Sequence, residues 1–573
     1  MDPSVGAGAA SFSIGDILIV VLYLAGMVAV GLWMSRGQKS TRDYFLGSRN
    51  IPWWAVGMAI IATETSALTF IGVPAMAFGT MGRNEAGDLI VKAGTGSIDF
   101  LQIIIGYVIA RVIIAIMMVP HYFKGEVYSP YQILLKSFGK TPRYLASGFF
   151  LLQGAMGAGV RIYVTAIPVM IVFRVFFPGW GIFYSILLFT LISIFYTSIG
   201  GIKAVVWTDV IQFCIFVLGG LYALFYVPSL LEGGWGEMID VGRETGRLTW
   251  IRSGVVSMQE FQSGGGEGFG AFIIANIRKI FGGRFNIWMG LIGATIGVMC
   301  SHGVDQLNVQ RVLTCKNARE GGKALLLSAV LIFPLFLMFL MVGVALFAFY
   351  KTNGFNFVIP PWNPLDPNKV PKADYVFPIF IISQVPTLLK GLLIAGILAA
   401  AMSSISGALS ALGSVAVMDI YRVLDKNRKS EDFYFKLSRW GVVLVSIVLV
   451  VIAYLSKEAP LVFNLAFTLV GLTSGALLGA ILFAMWYKRS HPAPVITGMI
   501  VSFLVMTAII VSVQKGYFNM NWPWFTPIGT AVTLIICYGM APFFPKPEKD
   551  YVDVYPVNKK KLESEEKEEN PED

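Results

Sequence analysis

Apolar stretches of about twenty residues, the length a helix needs to cross a bilayer core, recur along nearly the whole chain. With 56% of its 573 positions hydrophobic and 14% charged, a soluble fold has nowhere to hide that surface. The stretches are continuous and rich in Gly, Ala, Leu and Ile, whereas a transmembrane barrel alternates in polarity over segments of about ten residues. The expected fold class is therefore an all-α polytopic membrane protein. Thirteen candidate spans are centred in residues 13 to 34, 52 to 79, 98 to 120, 143 to 173, 179 to 198, 204 to 230, 285 to 310, 323 to 350, 385 to 418, 438 to 456, 459 to 486, 492 to 513 and 524 to 544. The longest imply tilt, a break, or an amphipathic lead-in such as Tyr375 to Ser383 before the ninth span. The first has no basic region ahead of it and no small-residue cleavage site after it, so it reads as a retained helix.

Basic residues crowd alternate connections, which predicts that those loops are cytoplasmic. The groups are Arg36, Lys39, Arg42 and Arg49; Lys124, Lys136, Lys140 and Arg143; Lys203; Arg311, Lys316, Arg319 and Lys323; Arg422, Lys426, Arg428, Lys429, Lys436 and Arg439; and Lys488 with Arg489. The connection from Glu232 to Arg284 carries six basic and six acidic residues, and no basic residue precedes Asp16. Both are expected outside, with the C-terminus inside, in an inner (plasma) membrane. The net charge of +10 is then mostly a topology signal and gives no reason to expect nucleic-acid binding. Cys214, Cys300, Cys315 and Cys537 lie in or just cytoplasmic of the spans and suggest no disulfide framework. The tail from Lys546 to Asp573, with Lys559, Lys560 and Lys561 before an acidic stretch, reads as disordered, either as a solvated end or in weak contact with anionic lipid. Gly264 to Gly266 lacks the Gly-Lys-Ser/Thr of a phosphate cradle and reads as linker.

Three segments carry chemistry inside the membrane. Tyr196 to Gln212, YTSIGGIKAVVWTDVIQ, places the carboxylate of Asp209 within a span, where a charge costs a few kcal/mol and so faces a polar path, a cation or a partner. Ile61 to Gly72, IATETSALTFIG, sets five polar residues, Glu64 among them, where an apolar helix should run on, and predicts a broken helix. Within Gly391 to Tyr421, Ser403, Ser404 and Ser406 cluster with no charged neighbour. Hydroxyls and freed carbonyls are the hard, neutral oxygens a monovalent cation accepts. Intramembrane serines also pack helices closely or bond back to their own backbone. Together these segments point to ion-coupled transport.

Asp43 to Trp54 (DYFLGSRNIPWW), YTSIGGIKAVVWTDVIQ, Asp305 to Arg311 (DQLNVQR) and AAAMSSISGAL together resemble the solute:sodium symporter family, whose members carry sugars, proline, pantothenate, sialic acid, iodide and monocarboxylates. The resemblance runs from the first span to at least the eleventh. It implies an inverted-repeat fold of the leucine-transporter type, two sets of five helices at roughly 52 to 230 and 285 to 486, each with its first helix interrupted near the bilayer centre. Thr63 to Ser66 and His302 to Asp305 are polar breaks at the matching places. Residues 1–51 would add a helix and cytoplasmic linker, 231–284 an extracytoplasmic loop, 487–545 two further spans and 546–573 the tail.

The resemblance further implies a sodium site made by the carbonyls of Ala62, Thr65 and Ala400 with the hydroxyls of Ser403 and Ser404. The sialic acid members have a second sodium near the aspartate of the Trp-Thr-Asp triplet. Asp209, Ser403 and Ser406 match that pattern, but Gly407 stands where those members carry another serine, so Asp209 takes part either in a second sodium site or in the ion's exit route. Sodium moving inward down 100 mV releases about 2.3 kcal/mol, enough to support uphill solute entry by alternating access.

The substrate is less constrained. Bacterial sugar members are similar around Ile61 to Gly72, but their Glu-Gln pair is Leu68-Thr69 here, their asparagine before Gln-x-x-x-Gln-Arg is Asp305, and the eighth span has no lysine. The candidate substrate-binding set is Glu64, Thr69, Asp99, Gln102, Arg161, His302 and Asp305. Arg161 lies mid-span, and a guanidinium holds a carboxylate in a two-bond fork. The sialic acid members are similar in carrying an arginine about one turn earlier on the same helix. The alternative is that Arg161 pairs with Glu64 or Asp209 to hold helices together. Arg111 lies nearer a helix end, is free to snorkel and receives no role. His121 and His491, at cytoplasmic ends, read as structural. The expected function is sodium-coupled import of a small polar organic solute, leaning to an organic acid, with a sugar or polyol as the alternative. A membrane sensory unit is disfavoured by the thirty or so residues after the last span, and a channel by the broken helices. An enzyme is disfavoured because no metal-ligand cluster or nucleophile with a base appears at usable spacing.

Overall fold

The computed structural model describes residues 13–36, 40–85, 88–124, 127–177, 179–354, 373–425, 429–456, 462–487 and 491–544. The main helices are α1 (Ile14–Met34), α2 (Trp53–Glu64), α3 (Ala67–Phe78), α4 (Leu101–Ile113), α5 (Lys140–Phe176), α6 (Ile182–Ser229), α7 (Thr295–Gly303), α8 (Gln306–Val312), α9 (Ala318–Asn353), α10 (Leu389–Ser414), α11 (Glu431–Leu455), α12 (Val462–Trp486), α13 (Pro492–Gln514) and α14 (Phe525–Met540). One antiparallel pair, Met81–Arg83 with Leu89–Val91, follows α3.

Among the described residues, nine helices are long and apolar enough to cross a bilayer, or ten if α2 and α3, bent by 58°, form one broken span. Length and hydropathy therefore do not reproduce the expected thirteen, and the differences have local causes. The 48-residue α6 runs through two expected spans, with the backbone breaking at Gly201 (φ 56°, ψ −161°). The expected span at 285 to 310 is interrupted between α7 and α8, whereas that at 459 to 486 corresponds to the 25-residue α12. Gly201 is required twice over, by its left-handed φ and because a Cβ there would lie 2.6 Å from the Tyr44 carbonyl. The Tyr44 hydroxyl donates to the carbonyls of Thr197 (3.2 Å) and Ser198 (3.1 Å), so the Asp43 to Trp54 motif packs against the break.

Helix α10 is the hub: 94% of its most apolar window is buried, against 17% for α1. Its Ala, Ser and Gly side chains let α6, α5, α1 and α2 approach closely, the packing that replaces the hydrophobic effect in lipid. Helix α11 instead exposes Trp440, Leu444, Ile447, Val451 and Leu455 at helical spacing, a face suited to hydrocarbon. Helix α1 is tied to the hub by Asp16. Its Oδ1 accepts from the backbone amides of Leu388 (2.8 Å) and Gly391 (2.9 Å) at the start of α10, while Oδ2 closes a capping box with Ser13.

The 231 to 284 segment holds three short helices, Gly234–Glu244, Met258–Ser263 and Phe269–Gly282, with Gly264 to Gly266 joining the last two. The lead-in at Tyr375 to Ser383 is a separate helix, Val376–Gln384, largely buried and not amphipathic. Two residues counted as loop charges are interior. Arg143 is fully buried in an ion pair with Asp419, and Arg311 is fully buried as described below. His491 caps α13 by accepting from Ala493 N at 3.2 Å, and His121 bonds the Met117 carbonyl at 2.8 Å. The tail expected from Lys546 onward lies outside the described residues, as do Lys39, Lys426, Arg428, Lys488 and Arg489.

Candidate functional site

The break between α2 and α3 follows from its threonines. Thr63 Oγ1 donates to Ala59 O (2.9 Å) and Thr65 Oγ1 to Ile61 O (2.6 Å), so side chains occupy carbonyls of the preceding turn. Thr65 then leaves helical geometry (φ −82°, ψ 84°), which frees carbonyls near the end of α2. The second break is built by Asp305, whose Oδ1 accepts from Leu307 N (2.8 Å) and starts α8.

Ser404, on α10, comes to the first break: its hydroxyl lies 3.3 Å from both Thr63 O and Ala400 O. Ala62, in α2, and Thr65, its C-cap, are also buried. The hydroxyls and carbonyls here are hard, neutral oxygens of the kind that fit sodium. Ser403 turns to Asp209, donating to Oδ1 at 2.7 Å. Ser406 bonds back to the Ser403 carbonyl at 3.1 Å. Asp209 Oδ2 accepts from Arg311 Nη2 (2.8 Å) and Nε (3.2 Å) and from Thr63 Oγ1 (3.4 Å). One carboxylate thus joins α2, α6, α8 and α10. A Cβ on Gly407 would lie 2.6 Å from Arg311 Nη2, so the guanidinium fills the space a side chain at 407 would need.

Beside this cluster is a cavity of about 210 Å³, with Glu64, Thr69, Arg161, His302 and Asp305 among its lining residues. Phe100, Tyr107, Phe150, Phe336 and Trp522 supply much of its apolar wall. Five of the seven residues expected at the substrate therefore meet in one space. Asp99 and Gln102 are not among its lining residues and instead meet arginines and backbone of the 231 to 285 stretch. Asp99 accepts from Arg252 Nε (2.8 Å) and faces Arg284 Nε (3.4 Å); Gln102 accepts from Arg252 N (2.9 Å) and donates to Phe285 O (3.2 Å).

The arginines are apportioned differently from the sequence reading. Arg111, given no role, is fully buried and forms the ion pair with Glu64, with His302 Nε2 3.2 Å from its Nη2 and 3.5 Å from the carboxylate. With Glu64 held by Arg111 and Asp209 by Arg311, neither is the partner of Arg161. Among the described residues no carboxylate lies within 4.0 Å of that guanidinium, which lines the cavity. Arg311 and Gln153 were also missed. Arg311 had a signal in its place six residues after Asp305, on a helix starting at a polar break. Gln153 had none, since one amide in an apolar span has many uses.

A model of the sodium:solute symporter family matches residues 44–502. The sodium/sialic acid symporter SiaT of Proteus mirabilis (strain HI4320) is 27% identical over 540 residues, covering 91% of this chain and 94% of that protein. The human sodium/iodide cotransporter is 24% identical over 494 residues, covering 85% and 68% respectively. A solved substrate-bound, outward-open Na+-coupled sialic acid symporter superposes with a TM-score of 0.75 at 24% identity, covering 94% of this chain and 99% of that one, and shows the fold. Matched along most of its length by the family model, and with its broken helices and intramembrane serines in one cluster, the chain belongs to the sodium:solute symporter family: a multi-pass membrane transporter, not an enzyme, with sodium as its coupling ion.

Proposed function

We propose that this protein imports a small organic acid with sodium, the acid's carboxylate resting on Arg161. The observation that carries this reading is that Arg161 lines the cavity with no carboxylate within 4.0 Å among the described residues: Glu64 and Asp209 are each held by another arginine, and Asp305, also on the cavity wall, acts on it only through space. A half-buried guanidinium that no carboxylate contacts among the described residues favours an anionic ligand, and its fork geometry favours a carboxylate. The sialic acid symporters among the relatives support an acid over a sugar.

Sodium sits between α2 and α10, on the carbonyls of Ala62, Thr65 and Ala400 and the hydroxyls of Ser403 and Ser404. Asp209 lines the exit route and is not a second sodium ligand, because its oxygens are engaged by Arg311, Ser403 and Thr63. Sodium there draws α10 to the α2–α3 break and orders the cavity, so sodium and solute raise each other's affinity by the same factor. Residues 52–230 and 285–486 act as the two inverted repeats, each opening on a broken helix. The N-terminus lies outside and the C-terminus in the cytoplasm, following the basic loops, and the exposed apolar faces meet lipid. The charge pattern supports no nucleic-acid role.

The test is uptake into proteoliposomes under an inward sodium gradient, using N-acetylneuraminate, lactate, gluconate and glucose as solutes. Saturable, sodium-dependent uptake of an acid, lost in Arg161→Ala, is expected. Uptake of glucose alone, surviving Arg161→Ala, would sink the organic-acid reading and favour the sugar alternative.

A further inference from the structure

The cavity has a second pole. Asp305 is half-buried on its wall, and like Arg161 it has no ion-pair partner within 4.0 Å among the described residues. Its Oδ1 is committed to Leu307 N, but Oδ2 has only the Gln153 amide at 3.5 Å, the limit of a hydrogen bond. Gln153 is held in place by Thr473, which donates to its Oε1 at 2.6 Å, so it cannot turn to serve the carboxylate better without breaking that bond. One turn along α8 from Asp305, Asn308 donates from Nδ2 to the Ser301 carbonyl (2.8 Å), which fixes the amide's orientation and leaves its buried oxygen without a partner among the described residues. This end of the cavity is therefore short of donors, as the Arg161 end is short of acceptors. Buried polar groups left so are costly and mark a place where a ligand completes the set.

The two poles lie along α5. The backbones of Gln153, which touches Asp305, and Arg161 are eight residues apart on this helix, roughly 12 Å along its axis, and the long Arg161 side chain brings its charge within electrostatic reach of Asp305. Gly154, Gly157 and Ala158 line the cavity between them and leave its floor open. The Glu64–Arg111 pair, also at this cavity, is neutral as a unit and adds no third pole.

Resting on the organic-acid reading above, we infer that the solute is bipolar and extended: a carboxylate for Arg161 and, several bonds away, a hydroxyl or ammonium donor for Asp305. A short monocarboxylate reaches one pole and leaves the other unsatisfied. A sugar without a carboxylate leaves Arg161 unsatisfied. Sites built to receive a hydrogen bond discriminate strongly against the analogue that lacks it.

The experiment measures affinities of the purified full-length protein, in sodium, for matched six-carbon acids: hexanoate (no second pole), gluconate (hydroxyls) and 6-aminohexanoate (terminal ammonium), with propionate and lactate as short controls. At least one of gluconate and 6-aminohexanoate is expected to bind 100-fold or more tighter than hexanoate, and which one does so names the donor. Lactate should gain little over propionate, its hydroxyl being next to the carboxylate. Asp305→Asn and Asn308→Ala should each shrink the long-acid preference by ten-fold or more. Hexanoate binding as tightly as both partners overturns the second pole while leaving the carboxylate reading intact. Failure of every acid to bind, with or without glucose binding, overturns both. The wild-type comparison decides the matter if either variant fails to fold.

Discussion

Arg311 places two nitrogens on a single oxygen of Asp209, Nη2 at 2.8 Å and Nε at 3.2 Å, while Ser403 donates to the other oxygen at 2.7 Å. Both charged residues are fully buried. Removing one partner of such a pair strands the other charge, at a cost of about 3–5 kcal/mol, whereas removing both costs far less. Arg311→Ala should therefore lower the thermal midpoint strongly, and Asp209→Asn added to it should restore much of the loss. If the two effects simply add, the residues are not coupled and the pair is an incidental contact.

Gly407 is expected to be intolerant of any side chain. The Asp209 fork pins the guanidinium that lies 2.6 Å from a would-be Cβ, so it cannot swing aside freely. Gly407→Ala should destabilise by about 1–3 kcal/mol, the usual cost of overpacking. Gly148→Ala, on an exposed face with nothing within 4 Å, should be neutral or slightly stabilising. Equal midpoints for the two variants would show that the Arg311 side chain moves without cost.

The serines of α10 should separate by function. Ser404→Ala removes a hydroxyl placed between Thr63 O and Ala400 O, and should raise the sodium concentration for half-maximal uptake at least ten-fold. Ser406→Ala removes a bond to the neighbouring Ser403 carbonyl and one with Tyr196, neither at the α2–α3 break, and should change it less than two-fold. A sodium titration of uptake distinguishes these outcomes, and a reversal of order would move the ion site about half a turn round the helix, to the Ser406 face.

Both helix breaks were legible in the sequence because each places polar residues where an apolar helix should continue, and polar side chains at that depth need a reason. The serine cluster was legible for the same cause. The ion-pair assignments were not. Arg111, Arg143 and Arg311 lie close to helix ends in the sequence, where snorkelling and topology explain a basic residue well enough. Only the fold shows that the side chains at 111, 143 and 311 turn inward to Glu64, Asp419 and Asp209, and that Arg111 lies at the middle of a span running from Leu101 to Tyr122. Asp99 and Gln102 misled for the converse reason. Polar residues at the start of an apolar helix look the same whether they face a cavity or, as here, the arginines of a connecting segment.

Glu64 sits on the cavity wall but is expected to act through Arg111. Arg111→Ala leaves a buried carboxylate beside His302, and should both destabilise the protein and weaken binding of an anionic solute through uncompensated repulsion. Glu64→Gln leaves the arginine charged, so anion affinity should be kept or raised even as stability falls. Opposite signs on solute affinity, read by uptake competition, are the mark of this arrangement. Equal losses would indicate that Glu64 itself touches the solute.

Asp16 lies far in sequence from the serines proposed to hold sodium, yet it caps the helix that carries them. Its Oδ1 takes the amides of Leu388 and Gly391, the first turn of α10, and Leu388 holds a left-handed φ of 71° there. A helix N-terminus favours an anion both by its free amides and by the aligned peptide dipoles. Asp16→Ala should cost about 0.5–2 kcal/mol, the range of a lost cap. Because α1 contributes the cap across a helix interface, the loss should also loosen α10 at its first turn. Hydrogen exchange at Leu388 to Leu392 is expected to quicken, with little change in α12 or α14. If exchange rises evenly across the molecule, Asp16 contributes only to global stability, and α1 is a peripheral helix without influence on the ion site.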